Sequence, residues 1–145
     1  MEKGIETLTE LSDEAARFVG SLSPNPSTAT LVTLSGELGA GKTAFVKAVA
    51  AHLGVEDTVT SPTFVLEKIY ILPDGHAFER LVHIDAYRLE KGSEVAALGF
   101  DELMRDSGNL VLLEWPEKIA DVLPEPSQHL SFILRADGSR TITYG

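Results

Sequence analysis

Gly36-Glu37-Leu38-Gly39-Ala40-Gly41-Lys42-Thr43 is the stretch on which the reading of this chain turns. It matches G-x-x-x-x-G-K-[ST], a loop that cradles phosphate. Ahead of it, Thr30-Leu31-Val32-Thr33-Leu34 is apolar and β-branched and reads as a buried strand. Behind it, Ala44 to Leu53 reads as a helix that stops at Gly54. Glycines let the backbone curl so that its N–H groups face an anion. The helix then begins beneath that anion, with unpaired N–H groups and the positive end of its dipole towards it. Lys42 supplies a mobile cation for the outer phosphates and Thr43 a hydroxyl for a magnesium ion. All eight residues, Gly36 through Thr43, are therefore candidate nucleotide contacts.

At 145 residues, with 43% hydrophobic and 23% charged side chains, the chain reads as a single domain spanning residues 1–145. It has room for one core but not for a separate substrate domain. A net charge of −10, with no cluster among its 12 Lys and Arg, disfavours direct binding to a polyphosphate backbone and suits a basic protein partner. There is no cysteine, so neither disulfides nor thiolate metal sites arise. No signal peptide or membrane span is expected, and the chain reads as cytoplasmic.

In order along the chain, residues 5–9 suggest a short strand and Ser12-Asp13-Glu14 a helix start, with Ser12 as cap. After the loop and its helix, Val65 to Ile71 and Arg80 to Asp85 read as a hairpin around Leu72-Pro73-Asp74-Gly75-His76. Short helices are expected at Ser93–Leu98, Asp101–Asp106 and Glu117–Asp121, and a buried strand at Asn109–Glu114. His129–Arg135 and Arg140–Tyr144 read as an edge hairpin around Asp137-Gly138-Ser139.

Three apolar strands run into the loop, into Asp85 and into Glu114. In an open α/β sheet, ligands sit beyond the carboxyl ends of the strands. If these strands are parallel neighbours, both acids lie beside the phosphates. One can hold magnesium with Thr43 while the other orients or deprotonates water. Thr63, in the rigid turn Ser61-Pro62-Thr63-Phe64, is a further candidate for the γ-phosphate or the metal. Arg88 reads as a surface ion-pair partner, Trp115 as packing beside the site and His83 as a core histidine. His52, His76 and His129 show no metal spacing. Without an Asn-Lys-x-Asp element for guanine, ATP is the nucleotide left by elimination.

Taken together, the loop, Ser61-Pro62-Thr63-Phe64, His83-Ile84-Asp85-Ala86-Tyr87-Arg88-Leu89 and Glu114-Trp115-Pro116-Glu117 resemble the TsaE family, ATPases of bacterial tRNA threonylcarbamoyladenosine biosynthesis. The resemblance runs from about residue 5 to the C-terminus. It implies an α/β fold, a P-loop NTPase-like mixed sheet with a parallel core flanked by helices and antiparallel edge strands. It implies ATP and magnesium as cofactors, with slow hydrolysis by the protein alone. It implies partnership with TsaB and TsaD homologues, which act on the adenosine beside the anticodon, so that tRNA is met only through the complex. By position, Thr43 and Glu114 look like magnesium ligands and Asp85 like a residue needed for hydrolysis. Departures are Glu37 where the family usually has Asp, Ala44 where a second Thr is common, and Ala16 where a Thr is common. Two other readings of the loop are a small-molecule or nucleotide kinase and a nucleotide-gated binding module. A kinase needs an acceptor site and an Arg-rich lid, and no Arg cluster follows the core.

Overall fold

The computed structural model describes residues 1–37, 39–55, 67–91 and 93–145. The expectations for Leu38, for Thr63 and its turn, and for the opening of the strand placed at 65–71 lie outside the described residues. The strands are β1 (Glu2–Ile5), β2 (Thr30–Gly36), β3 (Glu67–Ile71), β4 (Arg80–Asp85), β5 (Asn109–Glu114), β6 (Gln128–Leu134) and β7 (Arg140–Tyr144). The helices are α1 (Leu8–Ser21), α2 (Lys42–His52), α3 (Ser93–Ala96) and α4 (Phe100–Met104), with a 3-10 turn at Pro116–Ile119.

All seven strands form one mixed sheet in the order β1-β7-β6-β2-β5-β4-β3. The central four, β6, β2, β5 and β4, run parallel. Antiparallel pairs close both margins: β7 and β1 beyond β6, and β3 beyond β4. The parallel core and antiparallel edges are as the sequence suggests. Every residue of β5 is buried, as befits a strand covered on both faces.

Side chains alternate between the two faces of a strand, and this parity decides where the chemistry goes. Val32 and Leu34, Leu110 and Leu112, and Leu81 share one face with Phe18 of α1 and Phe45, Val46 and Val49 of α2. Leu31, Val111, Leu113, Val82 and Ile84 share the other with Val95, Phe100 and Ile119. Counting on by two from Leu112 and Leu81 puts Glu114, His83 and Asp85 on the α2 face. Phe45 anchors α2 there, its ring 5.5 Å from those of both Phe18 and Phe132. Burying such a ring contributes about 2–3 kcal/mol, and this contact fixes the helix that carries Lys42 and Thr43.

Four expectations are corrected. Helix α1 begins at Leu8, not at Ser12. Thr7 is the cap, its Oγ1 accepting from Glu10 N at 3.1 Å, while Glu10 Oε2 accepts from Glu6 N at 2.7 Å. Thr7-Leu8-Thr9-Glu10 is thus a variant of the reciprocal capping box, which outcompetes the single hydroxyl of Ser12. The strand expected at 5–9 lies instead at Glu2–Ile5. The β6–β7 hairpin is not at the edge, because β1 pairs with β7 and takes that place. The helix expected at Glu117–Asp121 is the 3-10 turn Pro116–Ile119.

Candidate functional site

The loop leaves β2 at Gly36 and enters α2 at Gly41, and both glycines are required by geometry. A Cβ at Gly36 would lie 2.5 Å from the backbone oxygen of Phe132 on the neighbouring strand. Gly41 caps α2 with a φ of 101°, a left-handed conformation open to glycine at little cost. Phe45 N then donates to Gly41 O at 2.9 Å, so the helix begins immediately and its first N–H groups have no intrahelical acceptor. Glu37 and Gly39 are exposed, and Ala40 is packed into the core.

A cavity of about 310 Å³ opens beside this loop, lined by Lys42, Thr43, Asp85, Glu114, Trp115 and Arg140 among others. The strand register explains the convergence. Asp85 lies opposite Glu114 between β4 and β5, and Leu34 lies opposite Glu114 between β2 and β5. Both acids thus emerge level with the end of the strand that feeds the loop. Thr43 Oγ1 is 3.3 Å from each carboxylate oxygen of Glu114. Asp85 Oδ1 accepts from Tyr87 N at 3.0 Å, which fixes its side chain at the strand end. Lys42 is buried; its ammonium donates to Gly36 O, and to Glu37 O at 3.2 Å. Burial lowers the Lys42 pKa from its ordinary value, against the opposing pull of Glu114, Glu117 and Asp85.

Three side chains in the site carry more than their sequence reading suggests. His83 is fully buried, as a core histidine is, but its Nε2 lies 2.6 Å from Glu114 Oε2. The signal was its spacing of two from Asp85 in a strand, which places both on one face. Trp115 is the one non-glycine among the described residues with positive φ, at 61°. That conformation costs roughly 1–2 kcal/mol and is held by Trp115 N donating to Leu34 O at 3.1 Å. Its ring stands 4.2 Å from Lys42 Nζ and 5.0 Å from the Tyr87 ring. Arg140, at the start of β7, bends over the loop: its Nη2 donates to Gly39 O at 3.2 Å. No local motif marks Arg140; only the place of β7 in the sheet brings it here. Arg88 is exposed.

From Gly41, Ala44 and Arg140 a groove of about 210 Å³ continues to Ile5, Leu8 and Leu11. A larger cavity, about 590 Å³, lies between β1 and α1, with Glu6, Glu10, Asp13 and Glu14 among its lining. Size does not make it the better candidate, since its four carboxylates outnumber Lys3 and Arg17 in the same lining and disfavour phosphate. Among the described residues no group of three or more His, Cys, Asp or Glu is arranged to hold a metal, and no helix is long and apolar enough to cross a membrane.

Comparisons with known proteins place the chain in a family. The family model described as "Threonylcarbamoyl adenosine biosynthesis protein TsaE" matches residues 6–142. The tRNA threonylcarbamoyladenosine biosynthesis protein TsaE of Treponema pallidum is 40% identical over 114 residues, 79% of this chain and 80% of that protein. The protein of the same name from Rickettsia typhi is 38% identical over 118 residues, 81% of this chain and 75% of that one. Among solved structures, Bacillus subtilis YdiB superposes with a TM-score of 0.77 at 28% identity, covering 99% of this chain and 83% of that one.

Proposed function

Because this chain belongs to the TsaE family, whose members serve tRNA threonylcarbamoyladenosine biosynthesis, we propose that it is a magnesium-dependent ATPase supporting the complex that makes this modification. The observation that carries the reading is the meeting of Lys42, Thr43, Asp85 and Glu114, drawn from α2, β4 and β5, around one cavity.

In this reading the loop amides and Lys42 take the β- and γ-phosphates, and the ammonium exchanges its bonds to Gly36 O and Glu37 O for phosphate oxygens. The donor set fits magnesium: a hydroxyl and a carboxylate, both hard oxygen ligands, held 3.3 Å apart. Two protein ligands are few, and magnesium keeps waters and phosphate oxygens for the rest. Bound there, the ion would neutralise charge developing between the phosphates. Asp85, on the same rim and fixed by Tyr87 N, is left to orient or deprotonate the attacking water. Arg140 overhangs the loop and adds a second cation for phosphate. The groove past Ile5, Leu8 and Leu11 offers apolar contact for a purine ring.

The partners in this reading are homologues of TsaB and TsaD. A chain with a net charge of −10 leaves the RNA to them. The test is phosphate release from ATP, with and without those partners and with and without chelator. Slow magnesium-dependent release that rises with the partners is expected. A phosphorylated acceptor in place of free phosphate would favour the kinase reading, and no turnover under any condition would leave a nucleotide-gated binding module.

A further inference from the structure

We propose that His83 is a positioning residue: it aims the Glu114 carboxylate at Thr43 and thereby sets how tightly the site takes a divalent cation. The inference rests on the reading of Glu114 as a magnesium ligand. His83 lies level with Leu112 in the β4–β5 register, so its ring reaches diagonally along the α2 face to Glu114, two residues further on. The two groups approach to 2.6 Å. A carboxylate only accepts, so Nε2 carries the hydrogen and donates it. Nδ1 has no partner among the described residues. The ring is therefore a poor choice for packing alone: a bare buried nitrogen costs about 1–3 kcal/mol that an apolar side chain would not. What the histidine gains for that cost is one short bond to the site carboxylate.

That bond is the stronger of the two orienting contacts to Glu114. The Thr43 hydroxyl is 3.3 Å from both oxygens and prefers neither. With Oε2 tied to the imidazole, Oε1 is held ready for a cation at Thr43. Outer partners of metal-binding groups commonly set affinity in this way.

The test titrates Mg2+ by calorimetry into protein carrying a non-hydrolysable ATP analogue, and measures the analogue alone in chelator. His83→Asn keeps a polar side chain, but its amide nitrogen falls at the Nδ1 position, out of reach of Glu114. His83→Gln places its amide nitrogen where Nε2 was. H83N should weaken Mg2+ binding by about 10–100-fold, with metal-free nucleotide affinity within about twofold of wild type, and H83Q should recover most of the loss. Added to Glu114→Gln, H83N should cost nothing further, because its effect passes through the carboxylate. Melting temperatures identify a variant that does not fold, and His83→Leu carries the same expectation should H83N be one. If E114Q loses Mg2+ affinity while H83N binds as wild type, His83 merely packs and the inference fails alone. If H83N and H83Q are weakened alike, the bond is not the cause and the inference is again overturned. If E114Q binds Mg2+ as wild type, the metal-ligand reading falls and takes this inference with it.

Discussion

Two glutamates in this molecule, Glu14 on α1 and Glu114 at the end of β5, are each 2% exposed, and they are treated in opposite ways. Glu14 is closed by strong donors. Arg17 Nε donates to both of its oxygens at 3.0 and 3.1 Å, Arg17 Nη2 adds a third bond, and the Tyr144 hydroxyl a fourth. Burial alone would raise its pKa, but the hydrogen bonds from Arg17 and Tyr144 outweigh that and hold the carboxyl below its ordinary value. Burial first, and then the Glu14 carboxylate, push the Tyr144 hydroxyl up, against the opposing pull of Arg17. Glu114 has an imidazole at 2.6 Å and a hydroxyl at 3.3 Å, and no guanidinium or ammonium hydrogen-bonds to it among the described residues. Lys42, which lines the same cavity, spends its bonds on Gly36 O and Glu37 O. A buried carboxylate with its counter-charge built in is a structural device. One whose partners leave lone pairs facing a cavity beside a phosphate-type loop is suited to a cation from solution.

The largest effect that would sharpen this contrast is Lys42→Ala. It should reduce ATP affinity at least about a thousandfold, or about 4 kcal/mol, since charge-assisted bonds to the phosphates are lost. Stability should hold, because the amine is penalised by its burial. Calorimetric titration reads the affinity, and an unchanged value would remove Lys42 from the phosphate contacts.

Next comes the crossed pair. Glu14→Gln should cost about 1–3 kcal/mol in urea unfolding, since a neutral amide cannot accept all the bonds that Arg17 and Tyr144 give the buried carboxylate, while Mg2+ and ATP binding stay as they were. Glu114→Gln should do the reverse, losing Mg2+ affinity about 10–100-fold at little cost in stability. Equal stability losses in the two variants would erase the distinction between a closed and an open carboxylate.

A smaller effect follows with pH. The folded pKa of Glu14 lies below the ordinary glutamate value of 4.5, so between the two the unfolded chain binds more protons than the folded one. The stabilisation from Glu14 is therefore complete above 4.5 and is lost as pH falls through the folded value. The gap in urea midpoint between wild type and E14Q should stay constant at higher pH and narrow only in acid. A gap already closing near neutrality would assign the stabilisation to another group.

The same contrast marks what the sequence made legible. The open site was readable because its parts are local or periodic. The loop is contiguous, and Asp85 and Glu114 each close an apolar strand of fixed parity. The closed cluster was not, because it joins α1 to the last strand across 130 residues. Counted from Ser12, Glu14 is a first-turn acid; the true cap, Thr7, sets it a turn and a half further in, where it faces the core. Arg140 escaped notice for a related reason, since only the insertion of β7 between β6 and β1 brings it over the loop. His83 is marked by the same alternation as Asp85, but strand parity alone does not separate a core histidine from one bonded to the site.

The smallest expected effect is optical, and it bears on the open site alone. The chain has one tryptophan, so its emission reports a single place. The Trp115 ring faces Lys42 Nζ at 4.2 Å, a cation–π contact worth about 0.5–2 kcal/mol. Its strained backbone and the Tyr87 ring at 5.0 Å keep it there. If nucleotide draws the ammonium towards phosphate, the indole loses its cation and its emission changes, with or without Mg2+, because in the proposed reading the metal would be taken by Thr43 and Glu114 rather than by Lys42. In K42A the resting emission should already be altered, and ATP should leave it unmoved. Tyr144, on β7 with Arg17 5.1 Å from its ring and outside the lining of the site, has no reason to respond in either protein. A flat tryptophan titration in wild type, at ATP concentrations where calorimetry shows binding, would mean that Lys42 keeps its carbonyl partners when the site is filled. The phosphates would then be held by the loop amides and Arg140.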